Sequence, residues 1–150
     1  SKLDSFASWT SEPYVAVAFR FQNLLGDYPE YGYEPARQSR QNDMLRLCRD
    51  YVEDLYNRLQ KPILVTSDSV RMTEYVKDLP YVFTNSHPAS HVDTVADADY
   101  TNYCKSFVDF YLLSGAAAVY CPTTREMYHS DFPRYAALVH NNAFYAVELE

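Results

Sequence analysis

The side chains able to do chemistry cluster where apolar runs give way to polar residues. In YVAVAFRF, Tyr14 to Phe21, a β-forming run ends on Arg20. A guanidinium withdrawn from water needs an anion. Two sources are open: an internal carboxylate, Asp27 or Asp68, or the phosphate of a ligand. In PILVTSDS, Pro62 to Ser69, a second apolar run breaks into Ser67, Asp68 and Ser69. Serine and aspartate are common helix caps. A carboxylate leaving a strand also suits a base, a ribose hydroxyl or a neighbouring loop. HSDFPRYAAL, His129 to Leu138, reads as a helix start whose amides attract phosphate. There Ser130 adds a hydroxyl, Asp131 opposes an anion, and Arg134 one turn on offsets that charge. In KSFVDFYLLS, Lys105 to Ser114, Asp109 lies among aromatics on an expected buried face, where a carboxylate usually anchors a network.

Other chemistries are poorly represented. His87 and His91 in HPASH have a spacing used by metal ligands, but Pro88 disfavours a helix and no third ligand is evident, so zinc is not expected. The chain has no GxGxxG, Walker-A lysine loop, GxSxG elbow or HExxH. P-loop hydrolases and common dehydrogenases are thereby disfavoured. A receiver-like domain shares the same element order but needs an acidic cluster and a lysine at matching strand ends, which are lacking.

These residues need a scaffold, and the apolar spacing supplies one. Strands are expected at Tyr14 to Phe19, Pro62 to Thr66, Tyr81 to Phe83, Ala117 to Tyr120 and Phe144 to Leu149. Between them, Met44, Cys48, Val52, Leu55 and Leu59 mark a helical stripe over Gln41 to Leu59, stopped by Pro62. Ser69 caps a shorter helix from Val70 to about Lys77. Tyr103, Phe107, Phe110 and Tyr111 belong to a helix over Tyr100 to Ser114, ended by Gly115. A last helix is expected from Phe132 to His140, with Pro133 in its first turn. The order βαβαβαβαβ predicts an α/β domain: a doubly wound, mostly parallel sheet of about five strands with helices on both faces. Gln22 to Gln38 and Asn85 to Asp99 resist assignment. Both follow strands, where such sheets form their ligand crevice.

Composition narrows the partners. A chain of 150 residues with 47% apolar and 22% charged residues suits one globular domain. No apolar stretch is long enough to span a bilayer. Twenty acidic against 13 basic residues leave a net charge of −7, which opposes non-specific binding to nucleic acid. Fifteen Tyr and eight Phe suit a Tyr-rich core and rim, or a surface that stacks on a sugar or a partner. Cys48, Cys104 and Cys121 read as reduced thiols, favouring a reducing compartment and a cytoplasmic location. The sequence opens at Ser1 with no initiator Met and no secretory or transit segment, so part of a longer protein is expected to precede it.

Together the four stretches resemble the GDP-fucose-binding, carboxyl-terminal half of the superfamily of protein O-fucosyltransferases, core fucosyltransferases and bacterial chitin-oligosaccharide fucosyltransferases. VAFRFQNLLGD resembles the family strand that ends in His-x-Arg, placing Arg20 where the family arginine grips the diphosphate. ILVTSDS resembles a strand running into Ser-Asp, so Asp68, flanked by Ser67 and Ser69, resembles the contact to guanine or ribose. DFYLLS and SDFPRYA resemble an Asp-x-x-x-x-Ser helix and a Ser-x-Phe-x-x-x-Ala helix start, adding Asp109, Ser130 and Phe132. The family histidine is Ala18 here, and the small residue after Ser130 is Asp131. The correspondence runs from Tyr14 to Leu149. It implies a Rossmann-like domain of a GT-B enzyme that uses no cofactor or metal. The implied reaction transfers fucose from GDP-fucose, with inversion, to a glycan or protein hydroxyl acceptor. A second domain lies outside this chain in that picture, and Asp27 and Glu30 are candidates for the catalytic base by location. The alternative expectation is a non-catalytic nucleotide-binding or protein-interaction module, in which Arg20 pairs with Asp68.

Overall fold

The computed structural model describes residues 12–28, 32–85 and 95–150, with side chains in the last stretch from Cys104 onward. Strands and helices alternate throughout: β1 (Val15–Phe19), α1 (Gln38–Leu59), β2 (Ile63–Ser67), α2 (Val70–Val76), β3 (Val82–Thr84), α3 (Val95–Ser114), β4 (Ala118–Thr123), α4 (Phe132–Val139) and β5 (Ala143–Glu148). The five strands form one sheet in the order β3-β2-β1-β4-β5. Every neighbouring pair is parallel. The fold is a Rossmann-like, doubly wound α/β sheet. The chain moves outward from β1 to β3, then returns to place β4 on the other side of β1. Right-handed crossovers therefore send α1 and α2 to one face and α3 and α4 to the other.

The strands' two-residue period feeds both cores. On the first face Val15, Val17 and Phe19 join Ile63 and Val65 beneath Met44, Cys48, Val52 and Leu55 of α1 and Met72 of α2. On the second face Ala16 and Ala18 join Leu64 and Val119 beneath Leu112 and Leu113 of α3 and Ala136 and Ala137 of α4. All five residues of β1 are buried, as befits a central parallel strand. The small alanines let the second helical layer approach closely. Gly115 serves the same layer: a Cβ there would lie 2.8 Å from the Tyr14 hydroxyl, which donates to the Leu112 carbonyl oxygen at 2.6 Å.

Most element boundaries lie within a residue or two of those expected, and the exceptions have physical reasons. α1 begins three residues before Gln41 and ends on Gln60 in the left-handed region, φ 52°, whose amide bonds the Tyr56 carbonyl. Pro62 lies just past that cap. β4 runs on through Pro122 to Thr123 because β5 pairs with it that far, whereas β1 pairs only with Val119 and Tyr120. Beyond Tyr120 one side of β4 is an edge, where a missing amide proton costs no ladder bond. α3 starts at Val95, inside the segment Asn85 to Asp99 whose sequence resists assignment. VADAD has no apolar stripe to reveal it, although alanines and acidic residues suit a first helical turn. Among the described residues no helix is long and apolar enough to cross a membrane.

Candidate functional site

The loops leaving β1 and β2 brace each other with two carboxylates. Asp68, just past β2, accepts from the Phe21 amide through Oδ1 at 2.9 Å and from the Gln22 amide through Oδ2 at 2.8 Å. Gln22 is in the left-handed region, φ 53°. The carboxylate thus holds a conformation that a residue with a side chain seldom adopts. Asp27 returns the arrangement: its Oδ2 accepts from the Ser69 hydroxyl at 2.8 Å and the Arg71 amide at 2.9 Å. Its other oxygen, Oδ1, is buried without a hydrogen bond. Arg71 Nη1 adds a bond to the Leu25 carbonyl oxygen at 2.6 Å. The result is a cross-braced floor at the carboxyl ends of the two central strands.

Above this floor, where the strand order reverses between β1 and β4, lies a cleft of ≈ 720 Å³. Open α/β sheets bind ligands at this point. Arg20, Ser67, Asp68, Asp109, Ser130 and Phe132, named from the sequence as site residues, all line it. Ser69 differs. It is fully buried, accepts from the Met72 amide at 3.2 Å as the cap of α2, and donates to Asp27. Its hydroxyl therefore belongs to the floor and not to the cleft wall. Glu30, His87 and His91 lie outside the described residues. Asp27 lines the cleft but is engaged by the start of α2.

Arg20 Nε stands 3.4 Å from Asp68 Oδ2, and 38% of the Arg20 side chain is exposed against 6% of Asp68. The pair is close in charge yet unaligned, because Nε makes no hydrogen bond. Burial pushes the Asp68 carboxyl above its ordinary value, opposed by the two amides and by the Arg20 guanidinium. Asp109 is tied into the opposite wall: it accepts from Asn85 Nδ2 at 2.8 Å and lies 3.5 Å from Lys105 Nζ. At α4, the Asp131 side chain makes no capping bond and lies 3.3 Å from Arg134 Nη2. The Phe132 amide bonds the Ser130 hydroxyl at 3.3 Å. Phe132 packs edge-on against Phe110, with ring centres 5.3 Å apart, and leaves 40% of itself exposed at the rim.

Sequence reasoning missed Lys105 and Tyr128, which line the cleft; so does Tyr28, which the Tyr-rich stretch YPEYGYEP marks as suited to a sugar or another domain. Lys105 Nζ donates to the Ser67 carbonyl oxygen at 2.8 Å. Its four-residue spacing to Asp109 was the one available signal. The tyrosines stand in loops, where no periodicity assigns a direction. Chemically, the cleft offers two cations, hydroxyls from Ser67 and Ser130, a carboxylate network at Asp109 and aromatic faces at its rim. Among the described residues no cluster of His, Cys, Asp and Glu could hold a metal ion. Comparison with protein-family models, with curated proteins and with solved structures finds no match to this chain.

Proposed function

We propose that this domain binds GDP-fucose in the switch-point cleft and serves inverting, metal-independent fucosyl transfer to a hydroxyl acceptor on a glycan or protein. One observation carries the reading: Arg20 lines the cleft with more than a third of its side chain exposed and only a loose ion pair to Asp68. As the sugar departs, negative charge gathers on the GDP diphosphate, and a fixed cation beside it stabilises that charge. Tyr28, Tyr128 and Phe132 supply aromatic faces for a base or sugar. The acceptor approaches across the cleft mouth, with a further domain forming the far wall. The three free thiols support a reducing, cytoplasmic setting. The net charge of −7 supports a small-molecule partner over nucleic acid.

A second reading has its own observation. Asp68, 6% exposed, already stands beside Arg20. That suits a non-catalytic module in which the arginine is structural and the Tyr-rich surface binds a partner.

Calorimetric titration with GDP, GDP-fucose, ADP and UDP separates the two. Heat from the guanine nucleotides, lost in Arg20→Ala, supports the transferase reading. No heat from GDP or GDP-fucose at millimolar concentration, or binding indifferent to Arg20→Ala, overturns it.

A further inference from the structure

The backbone of this cleft leaves a diphosphate poorly served. In dinucleotide-binding folds the amides of the turn after the first strand face the pyrophosphate. Here the successive Phe21 and Gln22 amides form an anion cradle that Asp68 already fills. The β1 turn therefore has no amide to spare for a phosphate, and more of the binding falls to side chains. The described residues lining the cleft include two cations, Arg20 and Lys105, against three carboxylates, Asp27, Asp68 and Asp109, so negative charge is in excess. Arg20 is partly engaged by Asp68. One half-engaged guanidinium does not balance the two or more negative charges of a diphosphate.

We infer that Lys105 is the second phosphate-binding cation of the cleft, contacting the diphosphate together with Arg20. This deepens, and rests on, the nucleoside-diphosphate reading above. Lys105 comes from α3, across the cleft from the β1 loop, yet both cations converge on one turn. Arg20 stands beside Asp68, and Lys105 donates to the carbonyl of the adjacent Ser67. An ammonium has three donors. One goes to Ser67, a second lies 3.5 Å from Asp109 Oδ2, and the third has no protein acceptor among the described residues. With 30% of its side chain exposed and a flexible stem, Lys105 turns toward an entering phosphate without moving the backbone.

The experiment compares GDP, GMP and inorganic pyrophosphate by calorimetry on the protein and on Lys105→Met and Lys105→Arg. Lys105→Met should weaken GDP and pyrophosphate about tenfold or more and GMP less than about twofold, with Lys105→Arg restoring most of the loss. Unchanged GDP affinity in Lys105→Met overturns the inference, and so does an equal loss for GMP and GDP, which marks a structural role. Acetylation of Lys105 in the unsubstituted protein, followed by peptide mass spectrometry, decides the matter if Lys105→Met unfolds. Protection by pyrophosphate and by GDP supports the contact, and no protection overturns it. Silence of the unsubstituted protein toward GDP and pyrophosphate alike defeats the nucleotide reading itself, a result distinct from a Lys105-specific failure.

Discussion

Arg20 Nε lies 3.4 Å from Asp68 Oδ2 but donates no hydrogen bond to it. The carboxylate's best-aligned donors are instead the Phe21 and Gln22 amides. The two residues therefore have separable jobs. Asp68 holds the β1 loop in shape, and Arg20 spreads its charge into the cleft.

That separation predicts a split result for Arg20→Ala. GDP affinity should fall about tenfold to a hundredfold, the worth of one or two charge-assisted phosphate bonds. Because Asp68 keeps both amides, the thermal midpoint should move by only a few degrees. A large drop in the midpoint with intact nucleotide affinity would show that the arginine is structural.

Ser69→Ala should do the reverse. The substitution removes the cap on the Met72 amide and one of the two bonds to Asp27 Oδ2. A loss of about 1–2 kcal/mol is expected, lowering the midpoint by roughly 2–4 °C per kcal/mol at this chain length. Nucleotide affinity should stay within about twofold of the starting value, since a weakened floor, not a lost ligand contact, is the consequence. Calorimetry and thermal unfolding on the same preparation check both halves.

Acid sensitivity should appear at Glu126. Arg40 donates to it through Nε at 3.1 Å and Nη2 at 2.8 Å, holding its carboxyl below the ordinary 4.5. Glu150, bonded to the same guanidinium, is lowered for the same reason. A carboxyl depressed by folding adds stability above its unfolded pKa, and that contribution disappears as pH falls through the lower folded value. Urea midpoints for the protein and for Glu126→Gln should therefore differ at pH 7 and converge as the pH falls below 4.5 and through the depressed folded value. A gap that persists undiminished in acid would contradict this.

Thiol chemistry should single out Cys104. Cys48 and Cys121 are buried, and burial pushes the Cys48 thiol far above its ordinary range and the Cys121 thiol up to about 11. Cys104, half-buried on α3, should be alkylated first by iodoacetamide at pH 8, as read by peptide mass spectrometry. Equal labelling of Cys48 would refute the packing of α1 against the sheet.

Gly115→Ala tests the close approach of the second helical layer. The added methyl would meet the Tyr14 hydroxyl at 2.8 Å and force it off the Leu112 carbonyl. The expected cost is about 1–3 kcal/mol, from a lost buried hydrogen bond and overpacking. Tyr14→Phe in the same background should recover part of it, because the clashing oxygen is gone. No recovery would place the strain elsewhere.

The sequence alone determined what short-range patterns encode. The apolar run Tyr14 to Phe19, the three- and four-residue steps of α1, Ser69 before α2 and Pro133 at the start of α4 depend on neighbours a few residues away. From these follow the alternating elements, the parallel sheet and the exit of Arg20, Asp68 and Ser130 at its carboxyl end. Only the tertiary structure decided which charge meets which. Asp68 reaches back 46 and 47 residues to two amides, Asp27 reaches forward to Ser69 and Arg71, and Lys105 reaches 38 residues back to Ser67. Such pairings depend on strand register and on how far a helix stands above the sheet. No local periodicity carries either quantity, and the long stem of a lysine leaves its destination undetermined until the whole fold surrounds it.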